Sequence, residues 1–328
     1  MSQQDQTRRS LGRRLERTQP QTTTTAPQLP PEPEDDAPVV DERHKVFGLG
    51  IPTAEARQPA YGQGVVVSLL AAAGMLLLAI ISIGDGDRSD PPVLEQTDVI
   101  FWVIAAIVMI ASAVGAQVSE RTAARAGEAV GQPRPPTSMA TAWTVPLVSA
   151  FAAVMLVATF HNRPMLIVGP LIAFLGISGS LLSRDLLDES DERSSRAAST
   201  IHTLVVHVIG FLAFSGIYLN KLDSWVSAPL AGIVGLLLIM ETLERGGAMP
   251  AQRVFYAVLG GWVLGTVMIP LNWWPTHGWV GGAVLLAVFY ATAGILLVQT
   301  QRDRIVRRDL VEFGGVSGVA LLILAVFG

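Results

Sequence analysis

The chain has 328 residues, half of them hydrophobic and only 15% charged, with a net charge of −4. A balance this mild supplies no clustered basic face, which excludes nucleic acid as a partner. Cysteine is absent, and with it disulfides, thiolate metal sites, iron–sulfur clusters and cysteine nucleophiles.

Residues 1–60 read as a disordered cytoplasmic tail. Arg8, Arg9, Arg13, Arg14 and Arg17 are followed by a Thr, Gln and Pro stretch and then by Glu32, Glu34, Asp35 and Asp36. Too few large apolar groups are present to offset the entropy of ordering such a segment. The five arginines suit anionic lipid headgroups, worth about 1 kcal/mol each near the surface, and serve equally well as a solvated topogenic cluster. The stretch 46–52 (VFGLGIP) is apolar enough to rest on the membrane interface.

Residues 61–328 form the transmembrane domain. A hydrocarbon core of about 30 Å takes roughly 20 apolar residues of helix. Runs of that kind recur at about 65–83, 99–116, 139–160, 165–183, 201–219, 226–243, 254–271, 279–299 and 310–328. Water is absent from the hydrocarbon, so each segment must satisfy its own backbone, and long runs without alternation do so as helices. The expected fold is an all-α polytopic transmembrane bundle of about nine spans. The first run starts after some sixty polar residues and is too long for a signal-peptide core.

Orientation follows from the cations. With the N-terminus inside and the C-terminus outside, 20 of the 23 lysines and arginines fall on the inner face. The outer connections hold Arg88, Arg163 and Lys221, so the positive-inside bias holds at every pair of loops. Trp102, Trp225, Trp273, Trp274 and Trp279 sit near the outer ends, as amphipathic rings do at headgroup level. The expected location is a cytoplasmic, bacterial membrane. Outer connections after the third span are short and inner ones such as 117–138 and 184–200 are longer, which predicts four hairpins joined on the cytoplasmic side plus a last span. Gly261 with Gly265, Gly314 with Gly318, and Gly232 with Gly235 offer small faces for close helix packing.

Polar groups inside lipid are the natural places to look for function. His202 stands at the inner end of the fifth span, His207 lies about 9 Å deeper by helix rise, and Glu241 lies near the inner end of the sixth. With the turn centred near residue 222, Glu241 faces residue 204 across the hairpin, within a turn of both histidines. A Glu–His pair has the chemistry to pass a proton near neutral pH; a structural hydrogen bond accounts for it too. No cofactor is expected. His202 and His207 lie about 140° apart around one helix and cannot sandwich a haem iron. His161 and His277 fall in outer turns, where solvation suffices.

Three short strings carry weaker signals. GISG at 176–179 matches the G-x-S-G of rhomboid intramembrane proteases, but Ser178 falls near the inner end of its span and the expected histidine is missing two helices on. Asp185, Asp188 and Asp191 resemble the Asp-rich Mg²⁺-diphosphate motifs of intramembrane prenyltransferases, since carboxylates three apart share a helix face and suit a hard cation. The second Asp-rich cluster those enzymes need is missing, with only Glu120, Glu128, Glu241 and Glu244 on neighbouring inner loops. Asp85, Asp87 and Asp90 are spaced somewhat like a calcium loop, but the sixth and twelfth positions fail the EF-hand pattern.

Three function classes follow. The first is a non-catalytic membrane component that assembles with, anchors or regulates a membrane-protein partner or a second copy. The second is a small-molecule permease, with Pro146, Pro170, Pro229 and Pro270 as helix breaks beside a cavity. The third is an enzyme acting on lipid-linked substrates at the inner face through the 184–200 carboxylates.

Overall fold

A computed structural model describes residues 45–46, 49–50, 58–84, 97–129, 140–187, 192–275, 278–302 and 304–327. Among these are nine α-helices: α1 (Gln58–Gly84), α2 (Val99–Ala129), α3 (Thr144–Phe160), α4 (Met165–Leu187), α5 (Glu192–Leu219), α6 (Ser224–Arg245), α7 (Pro250–Trp273), α8 (Val280–Arg302) and α9 (Arg307–Phe327). Eight are long and apolar enough to cross a membrane. The result is the all-helical polytopic bundle that the nine apolar runs predict. Arg43–Gly328 make up one unit. Within the expected tail, Lys45–Val46 and Leu49–Gly50 pair as two-residue antiparallel strands, β1 and β2.

Helix α3 is shorter than its apolar run. Residues 140–143 form a turn, leaving 17 residues of helix, at the lower end of what spans hydrocarbon. Its burial explains its composition. Most of α3 is enclosed by α1, α2, α4, α5 and α6, so it is apolar all round with no polar face. Val145, Val148 and Ala152 enter one apolar cluster built with α5, α6, α7 and α8. Ala150, Ala153, Val154 and Val157 enter a second, built with α1, α2 and α4. Helix α3 is therefore the axis on which both halves of the core pack.

Helices also outrun their apolar stretches. Helix α2 continues to Ala129, well past the expected end at 116, because residues 117–129 are polar but rich in good helix formers. Helices α4 and α5 together absorb most of the 184–200 loop. Helix α4 runs to Leu187 and α5 starts at Glu192.

Packing departs from the expected hairpins, most clearly around α6. Helices α5 and α6, joined by the short turn at 220–223, touch sparingly, whereas α6 and α7, joined at the other end, make the most extensive contact in the bundle. Glycines decide this. A Cβ built on Gly265 would lie 2.9 Å from the Ala228 carbonyl oxygen, and one on Gly232 would lie 3.1 Å from that of Gly261. The two backbones are in contact, and no larger residue fits between them. The other G-x-x-x-G behaves differently, since a Cβ built on Gly314 or Gly318 would meet no neighbouring helix within 4 Å. Helix α9 leans on α8 instead through Ser317, which donates to the Ala287 carbonyl at 3.0 Å, and through Phe313 against Tyr290.

The proline-bearing helices are continuous. Pro146 lies in the first turn of α3, and α4, α6 and α7 run through Pro170, Pro229 and Pro270. The helix breaks that a permease reading asks of them do not occur.

Candidate functional site

An acid inside an apolar run must find its counter-charge at its own depth, because solvent cannot reach it. Glu241 stands one turn before the end of α6 and is wholly buried. Its Oε2 accepts from Arg184 Nη2 at 2.5 Å and from Thr141 Oγ1 at 2.6 Å. Thr144 Oγ1 lies 3.1 Å from the same oxygen. Its Oε1 accepts from Arg245 Nε at 3.1 Å and lies 3.2 Å from His202 Nε2. One carboxylate thus gathers groups from α3 and the turn before it, α4, α5 and α6.

The cluster widens around this centre. Arg184 Nη1 lies 3.7 Å from Glu244 Oε1, and Glu244 Oε2 pairs with Arg253 at the start of α7. Glu120, buried on α2, is within electrostatic reach of Arg184 and Arg245. Three arginines face three glutamates, so the buried assembly is electrically neutral while His202 is neutral. That balance lets it persist out of water, where an uncompensated ion is prohibitive. Because the Arg184 Nη2 also donates to Thr141 Oγ1 at 3.1 Å, the threonine proton is free for Glu241, and the three groups satisfy one another.

His202 is held from its other side by Ser183. Ser183 Oγ lies 2.8 Å from His202 Nδ1 and 2.9 Å from the Ser180 carbonyl. A hydroxyl carries a single proton. The Glu241 carboxylate facing Nε2 can only accept, so in the neutral ring Nε2 carries the proton and Nδ1 accepts from Ser183.

Of the three polar residues the sequence singles out, the structure brings His202 and Glu241 together and leaves His207 elsewhere. His207 Nδ1 donates to the Thr203 carbonyl at 2.7 Å, and its ring packs on Phe289 and Tyr290 of α8. The 140° offset that separates the histidines on α5 puts them on different neighbours. Asp185 occupies the last turn of α4, and Asp188 and Asp191 lie outside the described residues. So do Asp85, Asp87, Asp90 and His277. Among the described residues no group of three His, Asp or Glu is arranged to hold a metal. Ser178 donates to the Phe174 carbonyl of its own helix at 2.6 Å, the back-bonding expected of a mid-helix serine.

Arg184, Arg245 and Arg253 belong to this site although charge counting places them with the loop cations. Arg184 and Arg253 are 6% and 4% exposed. The signal was positional: each lies within two residues of the end of an apolar run, level with Glu241 and Glu244.

The opposite end is held by neutral hydrogen bonds. Ser82 of α1 bonds His161 Nδ1 where α3 ends, so His161 is a partnered group rather than a solvated one. Asn220 donates to Thr159 at 3.0 Å and Asn272 to Ser227 at 2.6 Å. Left-handed backbone at His161 (φ 40°) and Lys221 (φ 45°) closes these turns. Trp225 and Trp273 are 77% and 80% exposed at the same end.

The family model for a protein of unknown function, DUF5656, matches residues 90–327. The chain belongs to the DUF5656 family. The match takes in α2 to α9 and every residue of the buried charge cluster, and leaves α1 and the tail outside it. No curated protein and no solved structure matches the chain.

Proposed function

We propose that this DUF5656 chain is a non-catalytic, multi-pass component of a bacterial cytoplasmic membrane that anchors or assembles with a membrane-protein partner or a second copy. The observation that carries the reading is where polarity lies along the bundle axis. Away from the charged end the helices meet through Ala213, Phe214, Ile217, Leu238, Leu264, Leu285 and Phe289, all buried in one apolar cluster. The buried charges collect at one end, where they are matched in sign and tie six helices together. A carrier needs polar lining on a path through the middle, and a hydrolytic enzyme needs a reacting group beside a space for substrate. A charge-matched lock above a packed apolar middle serves a scaffold better than either.

The cation distribution supports placing the charged end on the cytoplasmic side. The exposed ridge of α9, with Leu310, Val311, Val319 and Leu322 beside open Gly314 and Gly318, supports assembly. A cysteine introduced at Gly318 and crosslinked in native membranes should trap a stoichiometric partner or a second copy. Recovery of only monomer, together with solute flux when the purified chain is placed in liposomes, would contradict the proposal.

A further inference from the structure

We infer that the groove between α6 and α7 binds one membrane-soluble molecule with a flat apolar body and a carbonyl acceptor, the chemistry of a lipid-soluble quinone. The groove encloses about 370 Å³, within the range of small-molecule sites. Its floor is formed by Gly232, Gly261 and Gly265, whose backbones bring the two helices into contact. Ile233 of α6 and Trp262 of α7 flank it, and both are exposed on the outside of the bundle. A groove between two spans that opens outward faces hydrocarbon, so its occupant is apolar over most of its surface.

Trp262 narrows the class. The exposed tryptophans Trp225, Trp273, Trp274 and Trp279 stand at or beside helix ends, where an indole N–H reaches water and headgroups. Trp262 is 75% exposed in the middle of Pro250–Trp273, about 17 Å from either end by helix rise, among lipid chains. Among the described residues its indole N–H forms no hydrogen bond, and a donor held in hydrocarbon without an acceptor is costly. Phospholipid tails bring no acceptor to this depth, because their ester oxygens lie with the headgroups. Thr266, also on the groove, spends its hydroxyl proton on the Trp262 carbonyl at 2.9 Å, which leaves the indole N–H as the donor for an occupant. A carbonyl accepts from it while the flat ring that bears the carbonyl rests on the glycine floor, where no Cβ stands in the way. A partner helix, about 10 Å across with its side chains, is too broad to reach that floor, and its own backbone carbonyls are spent within it. Binding here is independent of whether the chain assembles with a partner.

The test uses the full chain in phosphatidylcholine nanodiscs with menadione, a naphthoquinone, and with methylnaphthalene, which has the same fused rings and no carbonyl. The chain has no cysteine for menadione to alkylate. The melting temperature should rise saturably by about 5 °C with menadione well above its Kd, and by less than half as much with methylnaphthalene. Trp262→Phe, which keeps a ring and removes the N–H, should abolish the difference between the two compounds. Thr266→Phe, which fills the groove, should abolish the rise itself, and Trp225→Phe, at the end of α6, should keep it. No rise with menadione, an equal rise with methylnaphthalene, or a full rise in folded Thr266→Phe overturns the inference. So does stoichiometric crosslinking of Ile233→Cys to a second chain in native membranes, which would show that a protein covers the groove.

Discussion

Glu241 is the residue on which the charged end depends, since Arg184, Arg245, Thr141 and His202 all converge on it. Removing one member of a buried ion pair strands the other, at a cost of about 3–5 kcal/mol. Glu241→Gln should therefore lower unfolding stability in detergent by that amount, by stranding Arg184 and Arg245 together. His207→Ala, which loses only a ring contact and a local bond, should cost about 1 kcal/mol. Equal losses in the two variants, read from denaturant titrations, would show that Glu241 is not the centre. Glu241 and His202 were visible in the sequence because a polar letter inside an apolar run stands out. The arginines were not. A cation at the end of a span reads as a topogenic charge whether it faces water or a carboxylate, and only packing distinguishes the two.

At the scale of helices, the sequence predicts crossings better than neighbours. Hydropathy located all nine helices, because the length of an apolar run is set by the bilayer. It misplaced their ends, since the extension of α2 to Ala129 depends on helix propensity, which polar residues supply as readily as apolar ones. Loop length predicted α5 and α6 as a close pair, yet α6 and α7 lie closer, because Gly232, Gly261 and Gly265 remove the side chains that keep helices apart. Gly261→Leu should drive these two backbones apart and cost about 1–3 kcal/mol by overpacking. Gly318→Leu, on the open face of α9, should leave the unfolding of the isolated chain unchanged. Two matching losses would place the Gly318 face of α9 in an intramolecular contact and remove the distinction between the two glycine pairs.

For the whole molecule, the unequal ends follow from one constraint: charge is admitted only where it is neutralised, so the ionic groups gather at one end and the middle is filled with hydrocarbon. Reporter fusions at Pro135 and Asp87 should report opposite compartments, with Pro135 cytoplasmic, as the arginine count requires; a shared compartment would undo the orientation. The most direct test uses the absence of native cysteine, so that each introduced thiol reports alone. Ala213→Cys and Leu238→Cys, both fully buried away from the charged end, should resist a membrane-impermeant thiol reagent applied to either side of native vesicles, while Asp87→Cys and Pro135→Cys react from opposite sides. Labelling of folded Ala213→Cys or Leu238→Cys at the rate of the loop positions would reveal a water-filled path through the bundle and contradict the account.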